Sequence, residues 1–468
     1  MGELKKQPVL DLQPERTLTF WHIWALGVGA VIGDGIFLLM GQGIAMAGPS
    51  SILAYLIAGI SQFFLVIALT EMAVGMPNAG AMSFWVERFM GKSWGFLAGI
   101  TFAIGWIIAG GSVGLALGKI TMWFFPQLEA SWWPAAFTVF FLTLFAFINV
   151  LGAATTARFQ LYLVLILTGV MVLFALIGLK DIDFANYTPM FPHGVEGFWG
   201  AVPLGTYAYL GAVTLATAGA ECINPQRDLP RGLIWSSVTF LVLYTLAHFV
   251  LQGIIPSNEV TMDSSPFTVA AGKVFGIAGA FIMNIAAWIA AATCILMGTL
   301  YAASRIFYQQ AREGLLPGFL GYLHPKKHTP VYAIITIWAI TVVLVLIGQF
   351  NPDFIYVELT NQMVLAWLVS WTLALISGIL YRKNHKEEIE KLPWKQPLYP
   401  LFPILGFIGI AIVLYGTFVG SMMTLVRGFI WLAALYILFR IFNKKVFQTS
   451  QVSSGGGQHE QSIRESGK

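Results

Sequence analysis

Gly29-Ala30-Val31-Ile32-Gly33-Asp34-Gly35-Ile36-Phe37 lies in the middle of the first long apolar segment, residues 21–47. A lipid-spanning helix should carry neither a glycine cluster nor a carboxylate at that depth. Glycine weakens helices, and each unpaired backbone group in hydrocarbon costs several kcal/mol. Irregular backbone survives there only under a cover of protein or around a cavity, and an ionisable residue there marks a functional site. The stretch therefore predicts a helix interrupted near Gly33–Gly35 to form a binding site.

The surroundings agree. Of 468 residues, 57% are hydrophobic and 10% charged, with a mean hydropathy of +0.75. A soluble domain carries roughly 25% charged residues, so this chain needs a lipid bilayer. Apolar segments of about 20 residues fall near 21–47, 51–75, 95–118, 133–154, 159–179, 200–222, 233–255, 275–304, 331–349, 355–380, 399–420 and 424–442. They define an all-α integral membrane protein of twelve transmembrane helices.

Twelve crossings put both termini on one side. That side collects all of the 26 Lys and Arg residues except Lys119, Lys180, Lys273 and Arg427. The positive-inside rule makes it cytoplasmic, and the expected location is the cell membrane. The sequence divides into an N-terminal tail (1–19), a core of ten spans (20–380), a charged connector (381–398), two further spans (399–442) and a disordered tail (443–468). Residues 80–92 read as a short amphipathic helix at the cytoplasmic interface. The first apolar run is longer than a signal peptide requires.

Span six repeats the anomaly of span one. Its middle reads Tyr207-Ala208-Tyr209-Leu210-Gly211-Ala212-Val213-Thr214, and it crosses in the opposite sense. Two interrupted helices five spans apart suggest an inverted repeat of five helices each, spans 1–5 and 6–10.

At this point the chain resembles amino acid permeases of the amino acid–polyamine–organocation superfamily. Besides the two breaks, the matching pieces include Glu71 with Met76-Pro-Asn-Ala-Gly80, Asn149-Val-Leu-Gly152 and Ala157-Arg158-Phe-Gln160. They continue with Ala220-Glu221-Cys-Ile-Asn224-Pro225-Gln-Arg227-Asp-Leu-Pro230, Ser304-Arg305, Arg312-Glu313-Gly314-Leu-Leu-Pro317 and Thr329-Pro330. The resemblance implies the five-plus-five fold with broken helices 1 and 6, and alternating access to a site at mid-membrane. It also implies a free amino acid substrate held by Ile32, Gly33, Asp34, Gly35 and Ile36 of span one, with Tyr207, Tyr209, Leu210 and Gly211 of span six. Physics supports the arrangement: a half-helix N-terminus binds a carboxylate, and helix-end carbonyls bind an ammonium. Trp106 and Thr299 fall near positions that face the site in relatives.

Two departures from the family follow. Relatives usually have a small residue where Asp34 stands. Asp34 is read as a cap for the second half-helix, as a partner of the substrate ammonium or a cationic side chain, or as a proton or sodium coupling group. Coupled or exchanging relatives often carry a lysine in span five, yet 159–179 holds no charge. Sodium on carbonyls near Ile32 with Thr293 and Thr299 stays open, as does Asp34 as a proton site.

Among the remaining polar residues, His248 suits a helix-to-helix hydrogen bond. Glu71 and Glu221, with Arg88, Arg158, Arg227 and Arg305 at hand, suit intracellular salt bridges. Glu358, at the outer end of span ten, is given no role. No metal spacing, catalytic pair, cofactor motif or nucleic-acid footprint appears. The expected function is secondary active transport of an amino acid, proton- or sodium-coupled and not enzymatic. Exchange against a counter-substrate, transport of a polyamine or other organic cation, and nutrient sensing are the alternatives. Spans eleven and twelve, outside the repeat, offer a place for a homodimer contact by analogy with some relatives.

Overall fold

The computed structural model describes residues 12–128, 132–260, 265–351, 354–437 and 439–440, without the side chains of Asp34, Tyr356 and Val357. The tail expected at 443–468 and most of that at 1–19 lie outside the described residues, as does the side chain of Asp34.

Among the described residues, ten helices are long and apolar enough to cross a membrane, and two shorter apolar helices flank them, Phe20–Val31 and Met422–Ile437. Twelve crossings arise because span one is split. Its first half is Phe20–Val31, and its second is the turn Asp34–Phe37 followed by Leu39–Ala47. That second half runs through a tight turn into span two, Ser51–Gly75. Gly48 makes the turn: its φ is +61°, and a β-carbon there would lie 2.3 Å from Pro192 Cγ.

The remaining crossings are Lys92–Met122, Trp133–Leu151, Ala153–Gly178, the segment containing Gly194–Ala208, Pro225–Ile254, the segment Pro266–Arg312, Val331–Phe350, Thr360–Asn384, Leu401–Gly420 and the shorter Met422–Ile437. Prolines stand in the first turn of the helices starting at Trp133, Pro225 and Pro266, where the missing N–H costs nothing. Hydroxyls inside spans bond back to their own helix, as Thr70 does to the Val66 carbonyl and Thr168 to that of Val164. Spans four, five and nine turn large apolar side chains outward, among them Phe140, Leu173 and Val343, as lipid contact demands.

Two irregularities set the geometry of the interior. After Ala208 span six leaves the α-helix and continues as a 3₁₀ helix, Leu210–Glu221. In span eight a π-helix, Ile295–Ala302, lies between Cys294 and the α-helix Ala303–Arg312. Such segments commonly mark hinges and functional sites. The short helix expected at 80–92 is Met82–Met90. It buries Trp85, whose Nε1 donates to the Met76 carbonyl at 3.0 Å.

Candidate functional site

The break in span one occupies Ile32 and Gly33. Ile32 adopts an extended conformation, its N–H still donating to the Val28 carbonyl at 2.9 Å. The carbonyl of Val31, freed by the break, accepts a hydrogen bond from Tyr244 Oη of span seven at 2.9 Å.

Span six approaches this break backbone to backbone. A β-carbon on Gly211 would lie 2.2 Å from the Ala30 carbonyl oxygen and 2.8 Å from the Val31 nitrogen. Only glycine fits without moving one helix. On the other side of the break, Gly33 faces Cys294 of span eight, and Gly35 faces Tyr207 and the Cα of Ala208.

A second node joins four spans. The ring of Trp106 lies over Gly298 in the π-helical turn, and its Nε1 donates to Thr214 Oγ1 at 3.1 Å. Thr299 Oγ1 donates to the Trp106 carbonyl at 2.9 Å, and Trp367 packs on Trp106 with ring centroids 4.9 Å apart. The wider π turn and the absent side chain of Gly298 make room for the indole.

The sequence-derived site residues therefore separate. Gly33, Gly35, Tyr207 and Gly211 meet at the break, with Ile32, Ile36 and Leu210 buried around it, and Trp106 and Thr299 meet at the neighbouring node. Tyr209 turns away: its fully buried ring packs on Phe240 and Tyr244 and contacts Gly59. The interruption of span six also differs from the expected opening at Gly211, because the chain rewinds at once into the 3₁₀ helix.

Thr293 and Thr299, left open as ligands for sodium, make hydrogen bonds in different places. Thr293 Oγ1 bonds back to Ala290, while Thr299 holds Trp106. Gln160 fills the space beside Gly29, its Nε2 donating to the Thr293 carbonyl at 3.2 Å. Residue types alone did not single out Tyr244, Cys294, Gln160 or Thr214. A buried amide in a membrane helix was the one signal available, at Gln160.

Two ion pairs join helices on the face bearing most of the basic residues, one fully buried and one partly buried. Glu221 accepts from Arg305 Nη2 at 3.1 Å and from Tyr301 Oη, and the guanidinium lies 3.7 Å from the Tyr301 ring centroid. Both charged side chains are within 2% of full burial. Glu71 accepts Arg382 Nε at 2.7 Å and the Gln396 N–H at 2.7 Å. Of the arginines considered from sequence, Arg305 is the one used here, and Glu71 takes Arg382 from the end of span ten. His248 bonds across helices, with Nε2 3.1 Å from Ser51 Oγ. Glu358 pairs with Arg427.

A bundle of membrane helices whose first and sixth members are interrupted where they touch is an architecture of secondary transporters. The chain belongs to the amino acid permease family, which matches residues 22–447. It is 28% identical to the branched-chain amino acid permease BcaP of Lactococcus lactis subsp. cremoris (strain MG1363), over 93% of this chain and 96% of that one. It is also 28% identical to the amino-acid permease RocE of Bacillus subtilis (strain 168), over 94% and 97%. Among solved structures, MhsT in complex with L-phenylalanine superposes with a TM-score of 0.63, covering 88% of this chain and all of that one at 14% identity. That likeness concerns the fold, five-plus-five with helices 1 and 6 broken. The chain is a multi-pass membrane protein that transports amino acids.

Proposed function

We propose that this permease takes up an amino acid with an uncharged side chain by alternating access, with proton coupling and both termini in the cytoplasm. The observation that carries the reading is the contact of Gly211 with the Ala30 carbonyl at the break. It brings together the two places where the α-helical hydrogen-bond ladder is interrupted, Ile32–Gly33 in span one and Tyr209 in span six. N–H groups opening the turn Asp34–Phe37 would hold the substrate carboxylate, and carbonyls ending Phe20–Val31 would hold its ammonium. Tyr207, Cys294 and the Trp106–Thr214 pair would border the side chain. None of these carries a charge at neutral pH, which favours a neutral substrate. The names of relatives point the same way, BcaP as a branched-chain permease and MhsT with bound phenylalanine.

Proton coupling is favoured over sodium because the Thr293 carbonyl beside the break already accepts the Gln160 amide N–H. Asp34 is then the proton carrier. Inward opening must release Glu221 from Arg305 and Glu71 from Arg382.

Uptake of radiolabelled amino acids into proteoliposomes, under a pH gradient or a sodium gradient, tests this. Saturable leucine or phenylalanine uptake driven by the pH gradient is the expected result, reduced at least tenfold in Asp34→Asn. Uptake that follows sodium instead, or that needs internal amino acid, would replace proton symport with sodium symport or exchange.

A further inference from the structure

A groove of about 850 Å³ opens on the basic face, between the N-terminal segment, the start of span seven and the connector. Three arginines line it, Arg16, Arg227 and Arg231, and no carboxylate does. A second groove of about 450 Å³ shares Arg227, Arg231 and Trp235 and extends to Trp21. Its one acid, Asp228, lies 3.5 Å from Arg227. Arg16 and Arg231 have no ion-pair partner among the described residues.

The placement of these groups has a consequence for membrane contact. Arg227, Arg231 and Trp235 recur at every fourth residue of one helix and so form a stripe along it. Trp235 and Trp21 are 57% and 60% exposed. Trp21 stands at the start of the helix Phe20–Val31, and an exposed indole at a helix end sits at the depth of lipid headgroups. The guanidinium groups of Arg227 and Arg231, in the first two turns of the helix Pro225–Ile254, line the same groove as Trp21 and match a phosphodiester in charge and in geometry.

We propose that this groove binds the phosphate headgroup of an anionic phospholipid, with Arg16, Arg227 and Arg231 as its ligands. The lipid would act on the gate as well. Arg16 immediately precedes Thr17 and Leu18, whose N–H groups donate to the Glu221 carbonyl at 2.9 and 3.0 Å. A headgroup held between Arg16 and Arg231 ties that N-terminal strap to span seven and stabilises the closed inner side.

The test uses the full-length protein in phosphatidylcholine nanodiscs, with and without phosphatidylglycerol. Phosphatidylglycerol is expected to raise Tm and to stay bound in native mass spectrometry. Arg16→Gln and Arg231→Gln should each weaken its retention about fivefold, the contribution of one basic residue at an anionic surface. A control replacing the exposed Lys326 and Lys327 by Gln should retain the lipid as the wild type does. If Arg231→Gln does not fold, Arg16→Gln alone decides, since the Arg16 side chain is exposed. Equal retention of both lipids, an arginine effect no larger than the lysine control, or equal stabilisation by soluble glycerol phosphate in phosphatidylcholine discs would overturn the proposal.

Discussion

The centre of the molecule and its basic face are built from opposite materials. At the centre, contacts are made by main chain and by neutral side chains: Gly211 on Ala30, Tyr244 on the Val31 carbonyl, Trp106 on Thr214. At the basic face they are made by charge, the buried pair Glu221–Arg305 and the partly buried pair Glu71–Arg382. Under the proposed function the centre releases a ligand, which suits many moderate hydrogen bonds, and the ion pairs act as a gate, which suits all-or-none contacts. Removing half of a buried ion pair leaves a charge that neither water nor partner compensates.

The largest effect is therefore expected at the gate. Glu221→Gln strands the Arg305 guanidinium in a site where both partners are almost fully buried. A broken buried pair costs roughly 3–5 kcal/mol. The variant should melt about 3–5 °C lower in detergent, the shift such a loss gives for a chain of this length, or fail to express, while Glu221→Gln/Arg305→Met should recover much of the loss. A single variant that melts with the wild type would mean that the pair does not hold these spans together.

At the centre the test is steric. Gly211→Ala places a methyl 2.2 Å from a carbonyl oxygen, and overpacking of this kind costs roughly 1–3 kcal/mol. Uptake should fall at least tenfold with little loss of folded protein, because the two half-helices can move apart slightly. Normal uptake by this variant would mean that the close approach of spans one and six is not part of the transport cycle.

Tyr244→Phe removes one hydrogen bond and leaves the Val31 carbonyl unpaired. An unsatisfied buried group costs roughly 1–3 kcal/mol, less if water enters from the site. The expected result is a few-fold rise in KM with a small drop in Tm, measured on the same preparation. A change in maximal rate alone would shift the role of Tyr244 from the site to the conformational step.

The same contrast explains what could be read from sequence. The twelve crossings were legible because their length is imposed by the bilayer, and the first break because Gly33, Asp34 and Gly35 violate the rule for lipid-exposed helices. Span six was legible in place but not in form, since 3₁₀ winding from Leu210 to Glu221 arises from packing against span one. Tyr209 was aimed wrongly. Residues two apart on a helix point about 200° apart, so Tyr207 and Tyr209 could not both face one site. Arg382 escaped notice because it stands 311 positions from Glu71, a separation closed only by the fold. Gln160 was visible as a residue but not as the group filling the space between spans one, five and eight.

The smallest effect is a pH dependence at the basic face, outside the spans. Glu313 follows the helix Ala303–Arg312, with Glu87 of the helix Met82–Met90 as its neighbour. Burial first, then hydrogen bonding and repulsion from Glu87, push the Glu313 carboxyl up to about 8. Gln309 Nε2 donates to its Oε1 at 2.6 Å, while one oxygen of each glutamate, both Oε2, receives no donor. A proton shared between the two carboxyls satisfies both. Because the folded state holds this proton more tightly than the unfolded chain, its contribution is complete below the unfolded value of about 4.5. That contribution declines as pH rises toward about 8. Thermal stability should therefore fall between pH 6 and pH 8 by a few degrees on the order of one protonation event, and Glu313→Gln should flatten that slope while keeping the Gln309 contact. A variant with an unchanged slope would assign the pH dependence to a group other than Glu313.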